Sequence, residues 1–252
     1  MQIYGNNLYI CIMGSEVFRF KRFQVNHGLS SMKIGVDSVL LGCWASFKGK
    51  RILDVGTGCG IIALILAQRF PEAIIEGIDI DPPSIEEAEK NFRESPWSSR
   101  LKSTLISFEE KVRNEKELYD MIISNPPYFR SGIVSPNSQR EKARHQASLS
   151  VFTLLSEGVK LLKQGGKISV IIPTEFRDEI LEKSFEHNIL LNRECFVKNN
   201  EKGKEKRILM EFIKGVSNHE NKEKKKSFLT LFKDGNPTPE YRKLSEDFYL
   251  KF

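Results

Sequence analysis

Near the middle of the chain, Asn125-Pro126-Pro127-Tyr128 combines residue types that suit one chemical task. The tetrapeptide follows the apolar run Met121-Ile122-Ile123, which reads as a buried strand. Two consecutive prolines cannot donate to a ladder, so the strand ends there and the chain leaves the sheet. Open α/β sheets bind ligands at that carboxyl edge. An amide, stiff proline carbonyls and an aromatic ring then stand together. The Asn125 oxygen and the Pro126 carbonyl can accept both N–H bonds of a planar NH2 group while the Tyr128 ring stacks on its plane. Taken alone, the tetrapeptide also fits a strand-ending turn.

Upstream, Arg51-Ile52-Leu53-Asp54-Val55-Gly56-Thr57-Gly58-Cys59-Gly60 reads as a short strand and a glycine turn, followed by an apolar helix from Ile61. Gly56, Gly58 and Gly60 allow a sharp turn and close approach of the backbone to a ligand. Their G-x-G-x-G spacing is neither the dinucleotide G-x-G-x-x-G nor a triphosphate-binding P-loop, and by itself fits a tight strand–helix connection. The next strand, 73–78, ends at Asp79, and an acid about 20 residues past such glycines can accept hydrogen bonds from ribose hydroxyls. Asp81 precedes Pro82-Pro83 and a helix over 84–93, so it reads as the cap and Asp79 as the ribose acceptor. Asp54 either braces the glycine loop or meets a cofactor amino group.

The elements that position these residues alternate. Strands are expected at 51–55, 73–78, 102–106, 119–124 and 167–172. Helices are expected at 36–45, 61–69, 84–93, 152–162 (closed by a Gly165-Gly166 turn) and 175–185. This pattern implies a mostly parallel, doubly wound α/β sheet. Two late strands, 190–198 and 206–213, share a short polar connection suited to an antiparallel hairpin. Residues 1–30 read as a β-prone extension with a hairpin, and 31–252 as the main domain. The tail holds a β-prone piece, 228–232, and an aromatic-rich helix whose Tyr241, Phe248 and Tyr249 pack on the core.

With 252 residues, 40% hydrophobic and 29% charged, the composition is that of a globular protein. No apolar run is long enough for a membrane helix and no secretory leader pattern opens the chain. Cysteines 11, 43, 59 and 195 form no C-x-x-C pair or zinc spacing with the four histidines. They read as reduced thiols of a cytoplasmic protein, with no metal and with Cys59 as a loop residue rather than a nucleophile. A formal charge of +6 favours an anionic partner, nucleic acid first. Arg130, Arg140, Lys142 and Arg144 face a single acid, Glu141, directly after the candidate loop, where phosphates flanking a target base would lie. The run Lys222, Lys224, Lys225, Lys226 reads as a solvated turn between strands.

The order glycine loop, acidic strand end, Asn-Pro-Pro-Tyr resembles the class I S-adenosylmethionine-dependent methyltransferases that alkylate planar nitrogens. Met32-Lys33-Ile34-Gly35-Val36-Asp37-Ser38-Val39-Leu40-Leu41-Gly42-Cys43-Trp44 is similar to the N-terminal motif of the bacterial tRNA1(Val) adenine-N6 methyltransferase family. Similar too are Phe20-Lys21-Arg22-Phe23-Gln24-Val25, Ser95-Pro96-Trp97, Gln139-Arg140-Glu141-Lys142-Ala143-Arg144, Arg207-Ile208-Leu209 and Asp247-Phe248-Tyr249-Leu250. The resemblance covers nearly the whole chain. It implies a seven-stranded sheet whose last strand inserts antiparallel, S-adenosylmethionine as cofactor and tRNA as substrate; the sequence does not give an oligomeric partner, and a monomer is expected.

It also implies roles. Asn125 and Pro126 would hold the N6 amine of adenine 37, Pro127 would stiffen the loop and Tyr128 would stack on the base, with Phe129 either a second pocket wall or a core anchor. Lys33 and Asp37 would lie near the cofactor, although Lys33 equally fits a surface cation and Asp37 a helix cap. Where the family often has an acid for the cofactor adenine, this chain has Ser107, a weaker hydrogen-bonding substitute. Rival readings are a protein glutamine N5-methyltransferase, a DNA adenine methyltransferase and a non-catalytic RNA-binding or folding protein. The 50 residues before Arg51 are too few for the helical substrate domain of the first. No target-recognition domain supports the second, and the intact loop, Asp79 and Asn-Pro-Pro-Tyr oppose the third.

Overall fold

The computed structural model describes residues 16–30, 33–126, 150–215 and 225–251. Strand β3 (Arg51–Val55) lies at the centre of the parallel part, because its residues after Arg51 are all buried and can be covered only from both faces. It pairs in parallel with β4 (Ile74–Asp79) and β6 (Tyr119–Ser124); β4 pairs with β5 (Leu101–Leu105) and β6 with β7 (Leu162–Pro173), all parallel. The late pair β8 (Ile189–Asn200) and β9 (Glu205–Lys214) is an antiparallel hairpin, and β9 inserts between β7 and β8, antiparallel to both. Asn200 to Glu205 is too short a connection for a crossover, so the hairpin is the only way these strands can be neighbours.

Seven strands therefore form the expected sheet, but it does not stop there. The tail adds β10 (Lys225–Lys233), parallel to β8, and β11 (Asn236–Pro237), giving nine strands among the described residues in the order β11-β10-β8-β9-β7-β6-β3-β4-β5. Lys225 and Lys226 thus belong to a strand rather than to a solvated turn, while Lys222 and Lys224 lie outside the described residues.

Helices α1 (Val36–Trp44), α2 (Ile61–Arg69), α3 (Pro82–Glu94) and α7 (Pro239–Ser245) cover one face; α4 (Phe108–Asn114), α5 (Val151–Leu161) and α6 (Arg177–Glu186) cover the other. Alternation along β6 sends Met121 and Ile123 into the first core and Ile122 into the second. Helix α4 was not expected from the sequence; Ser107 caps it by accepting the Glu110 N–H at 3.1 Å. The expected Gly165-Gly166 turn is also replaced. The chain enters β7 directly at Leu162, and the glycine pair lies where the register against β6 shifts between Tyr119 and Met121. No described helix is long and apolar enough to cross a membrane.

The N-terminal hairpin, β1 (Val17–Arg19) and β2 (Gln24–Asn26), is built into the first core. Phe20 stacks on Phe23 at 4.7 Å and meets Tyr249 at 5.9 Å, Phe23 meets Trp97 edge-on at 5.6 Å, and the Lys21 N–H donates to the Phe248 carbonyl at 2.8 Å. Tyr241, Phe248 and Tyr249 are buried, as expected. On α3, Glu87 accepts from the Leu29 and Ser30 N–H groups. Asn91 on the same helix accepts the Asn26 N–H and donates to the carbonyls of Asn26 and Cys59, each at 2.8 Å. One amide thereby ties the hairpin to the glycine loop.

Candidate active site

The glycine loop leaves β3 at the carboxyl edge and starts α2. Its turn is fixed by the neighbouring strand: the Gly56 and Thr57 N–H groups both donate to the Ile78 carbonyl at 2.9 and 3.0 Å. Gly56, Gly58 and Gly60 all have positive φ, at 71°, 53° and 85°. Gly60 is additionally locked by packing, since a Cβ there would stand 2.4 Å from the Phe92 ring of α3. Above Gly58 none of the described residues comes within 4 Å of an added Cβ, so the backbone faces open space at the sheet edge.

Asp79, the last residue of β4, closes this loop. Its Oδ2 accepts the Gly58 N–H at 2.9 Å and its Oδ1 the Asp81 N–H at 3.0 Å. Burial pushes its carboxyl above the usual range, against the pull of these backbone donors. Asp81 caps α3 by accepting the Ser84 N–H and hydroxyl, at 3.3 and 2.6 Å. Two apolar side chains that the sequence reading missed stand beside Asp79: Ile80, which follows it, and Leu105, its register partner, 48% and 53% exposed. Ser107 lies two residues beyond β5, and its oxygen is committed to capping α4.

Asp54 is fully buried. Its Oδ2 accepts the Thr57 hydroxyl at 2.7 Å, and Thr57 fits only because Gly77 opposite has no side chain. Among the described residues no donor meets its Oδ1 with hydrogen-bond geometry, the Ala63 amide of α2 lying near the carboxyl without making such a bond. Burial pushes the Asp54 carboxyl up to about 7, opposed by the Thr57 hydroxyl and the Ala63 amide. A buried carboxylate oxygen without a donor is costly unless a ligand supplies one. Cys59, in the same loop, has its thiol pushed up to about 12 by burial, which leaves no thiolate for nucleophilic work.

The segment before α1 reaches the same edge. Lys33 Nζ donates to the His27 and Gly28 carbonyls at 2.6 and 3.2 Å, joining the hairpin to the approach of α1. Helix α1 starts at Val36 with Gly35 as its cap, so Asp37 is not the cap but a first-turn acid. It pairs with Arg207 on β9, whose guanidinium also donates to the Asn199 side-chain oxygen. Beside Asp37, the Ser38 hydroxyl oxygen accepts the Asn125 Nδ2–H at 3.0 Å.

Asn125 directly follows β6, and its neighbour Ser124 anchors the strand end by donating to the Val55 carbonyl at 2.7 Å. In this orientation of the amide, Ser38 engages its nitrogen end. Nδ2 is engaged, and among the described residues no donor reaches Oδ1, the acceptor end. Pro126 is buried. Pro127, Tyr128, Phe129, Arg130, Arg140, Lys142 and Arg144 lie outside the described residues. The structure thus brings Asp54, the three glycines, Asp79, Asp37 and Asn125 to one edge of the sheet. It adds Ser38, Thr57 and Arg207, which lie inside the sequence motifs without an expected role, and Ile80 and Leu105, whose only signal in the sequence is their place beside strand ends.

Comparison with known proteins places the chain among methyltransferases. The methyltransferase small domain model matches residues 30–198. A tRNA1(Val) (adenine(37)-N6)-methyltransferase of Parabacteroides distasonis is 39% identical over 241 residues, covering 95% of this chain and 100% of that protein. One from Bacteroides thetaiotaomicron is 37% identical, covering 94% and 99%. A predicted O-methyltransferase from Agrobacterium tumefaciens, 18% identical, superposes with a TM-score of 0.60 over 84% of this chain and 96% of that one, which shows a shared fold.

Proposed function

The chain belongs to the methyltransferase small domain family, and we propose that within it the chain acts as a tRNA1(Val) (adenine(37)-N6)-methyltransferase, using S-adenosylmethionine. The observation that carries the reading is Asn125, placed at the carboxyl end of β6 and held there by a 3.0 Å hydrogen bond between its side-chain amide and the Ser38 hydroxyl.

The residues present fit the cofactor. The open space above Gly58 would take its methionine part, and the orphaned Asp54 Oδ1 suits its ammonium group. Asp79 would accept the ribose hydroxyls. Exposed Ile80 and Leu105 offer apolar surface for the adenine ring, with Ser107 as a polar contact. When bound, S-adenosylmethionine supplies an electrophilic methyl group on a sulfonium.

The chain's own task is then to make a poor nucleophile act. The adenine N6 lone pair is delocalised into the ring. An Asn125 oxygen and a Pro126 carbonyl accepting its two N–H bonds would localise that pair and stabilise the positive charge that develops on nitrogen. Ser38 holds the acceptor in place, so little reorganisation is left for the moment of reaction. Tyr128 would stack on the base, offsetting part of the cost, a few kcal/mol, of taking it out of the anticodon loop. Lys33 and Asp37 act on this reading through the backbone of residues 27–28 and through Arg207. Arg130, Arg140, Lys142 and Arg144 would meet phosphates, with Phe129 as a further pocket wall. Free, buried thiols at Cys43, Cys59 and Cys195 fit a reducing, cytoplasmic setting. Mass spectrometry of tRNA nucleosides after incubation with the purified protein and S-adenosylmethionine tests the reaction: N6-methyladenosine at position 37 is expected, and a methyl group on a ring nitrogen would refute it.

A further inference from the structure

The lysine run that the active-site loop does not explain leads into β10, where it meets an aromatic pair. Lys226 and Phe228 lie in register with Glu194 and Phe196 of β8. The two phenyl rings stack, with 5.5 Å between centroids and 24° between planes. Leu229 and Leu231 of β10 are buried, whereas Phe228 is 60% exposed. The Lys226 ammonium sits over both rings, 4.7 Å from the Phe196 centroid and 5.4 Å from that of Phe228. The Arg177 guanidinium also stands near Phe196, 5.8 Å from the ring centroid. Two bonds to Glu194, at 2.7 and 2.9 Å, fix it there.

Edge protection alone does not explain this group. Among the described residues β10 pairs with β11 only at Phe232 and Lys233, which leaves its earlier residues as an open edge, and lysines can blunt such an edge without an aromatic partner. A large ring exposed at such an edge invites association, and it is held here under an ammonium. An exposed ring with cations held against it is a pattern that binds unpaired nucleotides: the base stacks on aromatic surface and the phosphates meet the cations. Lys225, also exposed, extends the basic rim.

The position suits one RNA held at both places. Phe196 pairs with Ile208, and Ile208 with Ile172 of β7, two residues beyond the level of Ser124. The group therefore lies toward the carboxyl edge. Phe196 packs on the core beneath α5 and α6, the face on which α5 resumes the chain after Asn125. Strand spacing puts β8 and β10 about 14 and 19 Å from β6, too far to belong to the methyl-transfer pocket.

We propose that Phe228 and Phe196, with Lys226 and Arg177, form a stacking platform for an unpaired nucleotide of the RNA substrate. The inference rests on the reading of that substrate as tRNA. Phe228→Leu, Phe228→Trp and Lys226→Ala test it in the full-length protein, by tRNA binding over a salt series, cofactor affinity by calorimetry and product analysis. Phe228→Leu should weaken tRNA binding about tenfold, with cofactor affinity and turnover at saturating tRNA unchanged, while Phe228→Trp should bind at least as tightly as wild type. Lys226→Ala should reduce the slope of log affinity against log salt by about one. Wild-type tRNA affinity in Phe228→Leu, with methylation of tRNA intact, overturns the platform but not the reaction. A wild-type protein that neither binds nor methylates tRNA overturns both. Self-association that Phe228→Leu abolishes, with RNA affinity unchanged, assigns the face to a second copy of the chain and also overturns the proposal.

Discussion

Asp79 holds Gly58: the carboxylate at the end of β4 accepts the loop N–H at 2.9 Å across a gap of 21 residues. The proposed ribose acceptor is therefore also a brace of the loop that would pass beneath the rest of the cofactor. Asp79→Ala should weaken S-adenosylmethionine binding by more than one hydrogen bond's worth, about 1–3 kcal/mol in all, and lower the melting temperature as well. Asp79→Asn, which keeps one acceptor, should fall between. Calorimetry and a thermal melt measure the two effects separately, and unchanged affinity in Asp79→Ala removes it from the site.

Asn125→Ala should leave cofactor affinity nearly intact and reduce single-turnover methyl transfer by ~10²-fold or more, since it deletes the acceptor aimed at the amine. Ser38→Ala should reproduce part of that loss, about tenfold, and add little in an Asn125→Ala background, because both changes act through one amide. Additive losses in the double variant would show that Ser38 acts elsewhere. Tyr128→Phe should keep most activity and Tyr128→Ala lose it, as stacking uses the ring.

Asp54 gives the site a pH dependence. Its folded-state carboxyl lies at about 7 against an ordinary 3.8, so the apo fold prefers the protonated form and loses stability as pH rises across that interval. A cationic ligand needs the ionised form. Cofactor affinity should therefore fall as pH drops below about 7, with proton release on binding near neutrality. Calorimetry in buffers of different ionisation enthalpy detects that release, and Asp54→Asn should abolish it.

Replacing Arg140 and Arg144 by Ala should weaken tRNA binding and flatten its salt dependence by about one unit of slope per lost phosphate contact. Cofactor affinity should hold. Salt titrations that superimpose on wild type would remove this segment from the RNA footprint.

Glu211 of β9 is buried and accepts from Ser46, Asn192 and Arg193, with Lys167 at 3.2 Å. Burial pushes its carboxyl up, but Arg193, Lys167 and Ser46 outweigh that and hold it at about 2. This network fastens the inserted strand to β7, β8 and the end of α1. Its contribution is full above the ordinary carboxylate value of 4.5 and is lost as pH falls toward 2. Glu211→Ala should cost about 3–5 kcal/mol, because two cations remain behind without their counter-ion. Urea unfolding at pH 7 and at pH 3 checks both the size and the sign: the gap between variant and wild type should narrow at pH 3 and close only as pH falls through about 2.

The parallel core was legible because its strands are short apolar runs bounded by glycine, proline or a cap, and local chemistry sets those boundaries. Strands β3 and β6 and helix α2 fall where the spacing placed them. Helix α4 escaped because it is short and its cap, Ser107, had another expected role. The glycine pair 165–166 misled because glycine also marks a bulge inside a strand. Asp37 looked like a cap because helix starts are weakly marked when a glycine caps them.

What the sequence determined alone is the set of chemical groups at strand ends: the glycine turn, the acid after β4, and the amide followed by prolines after β6. Each is a local consequence of backbone geometry, so a single chain suffices to read it. Only the tertiary structure decided which groups meet. Ser38 lies 87 residues from Asn125 and Arg207 170 from Asp37, and no periodicity encodes such pairings. They follow from the sheet order, in which β9 inserts between β7 and β8 and brings Arg207 to the start of α1. The same order carries Lys226 of β10 onto the face of Phe196, because a strand's neighbours, rather than its own residues, fix what its side chains can touch.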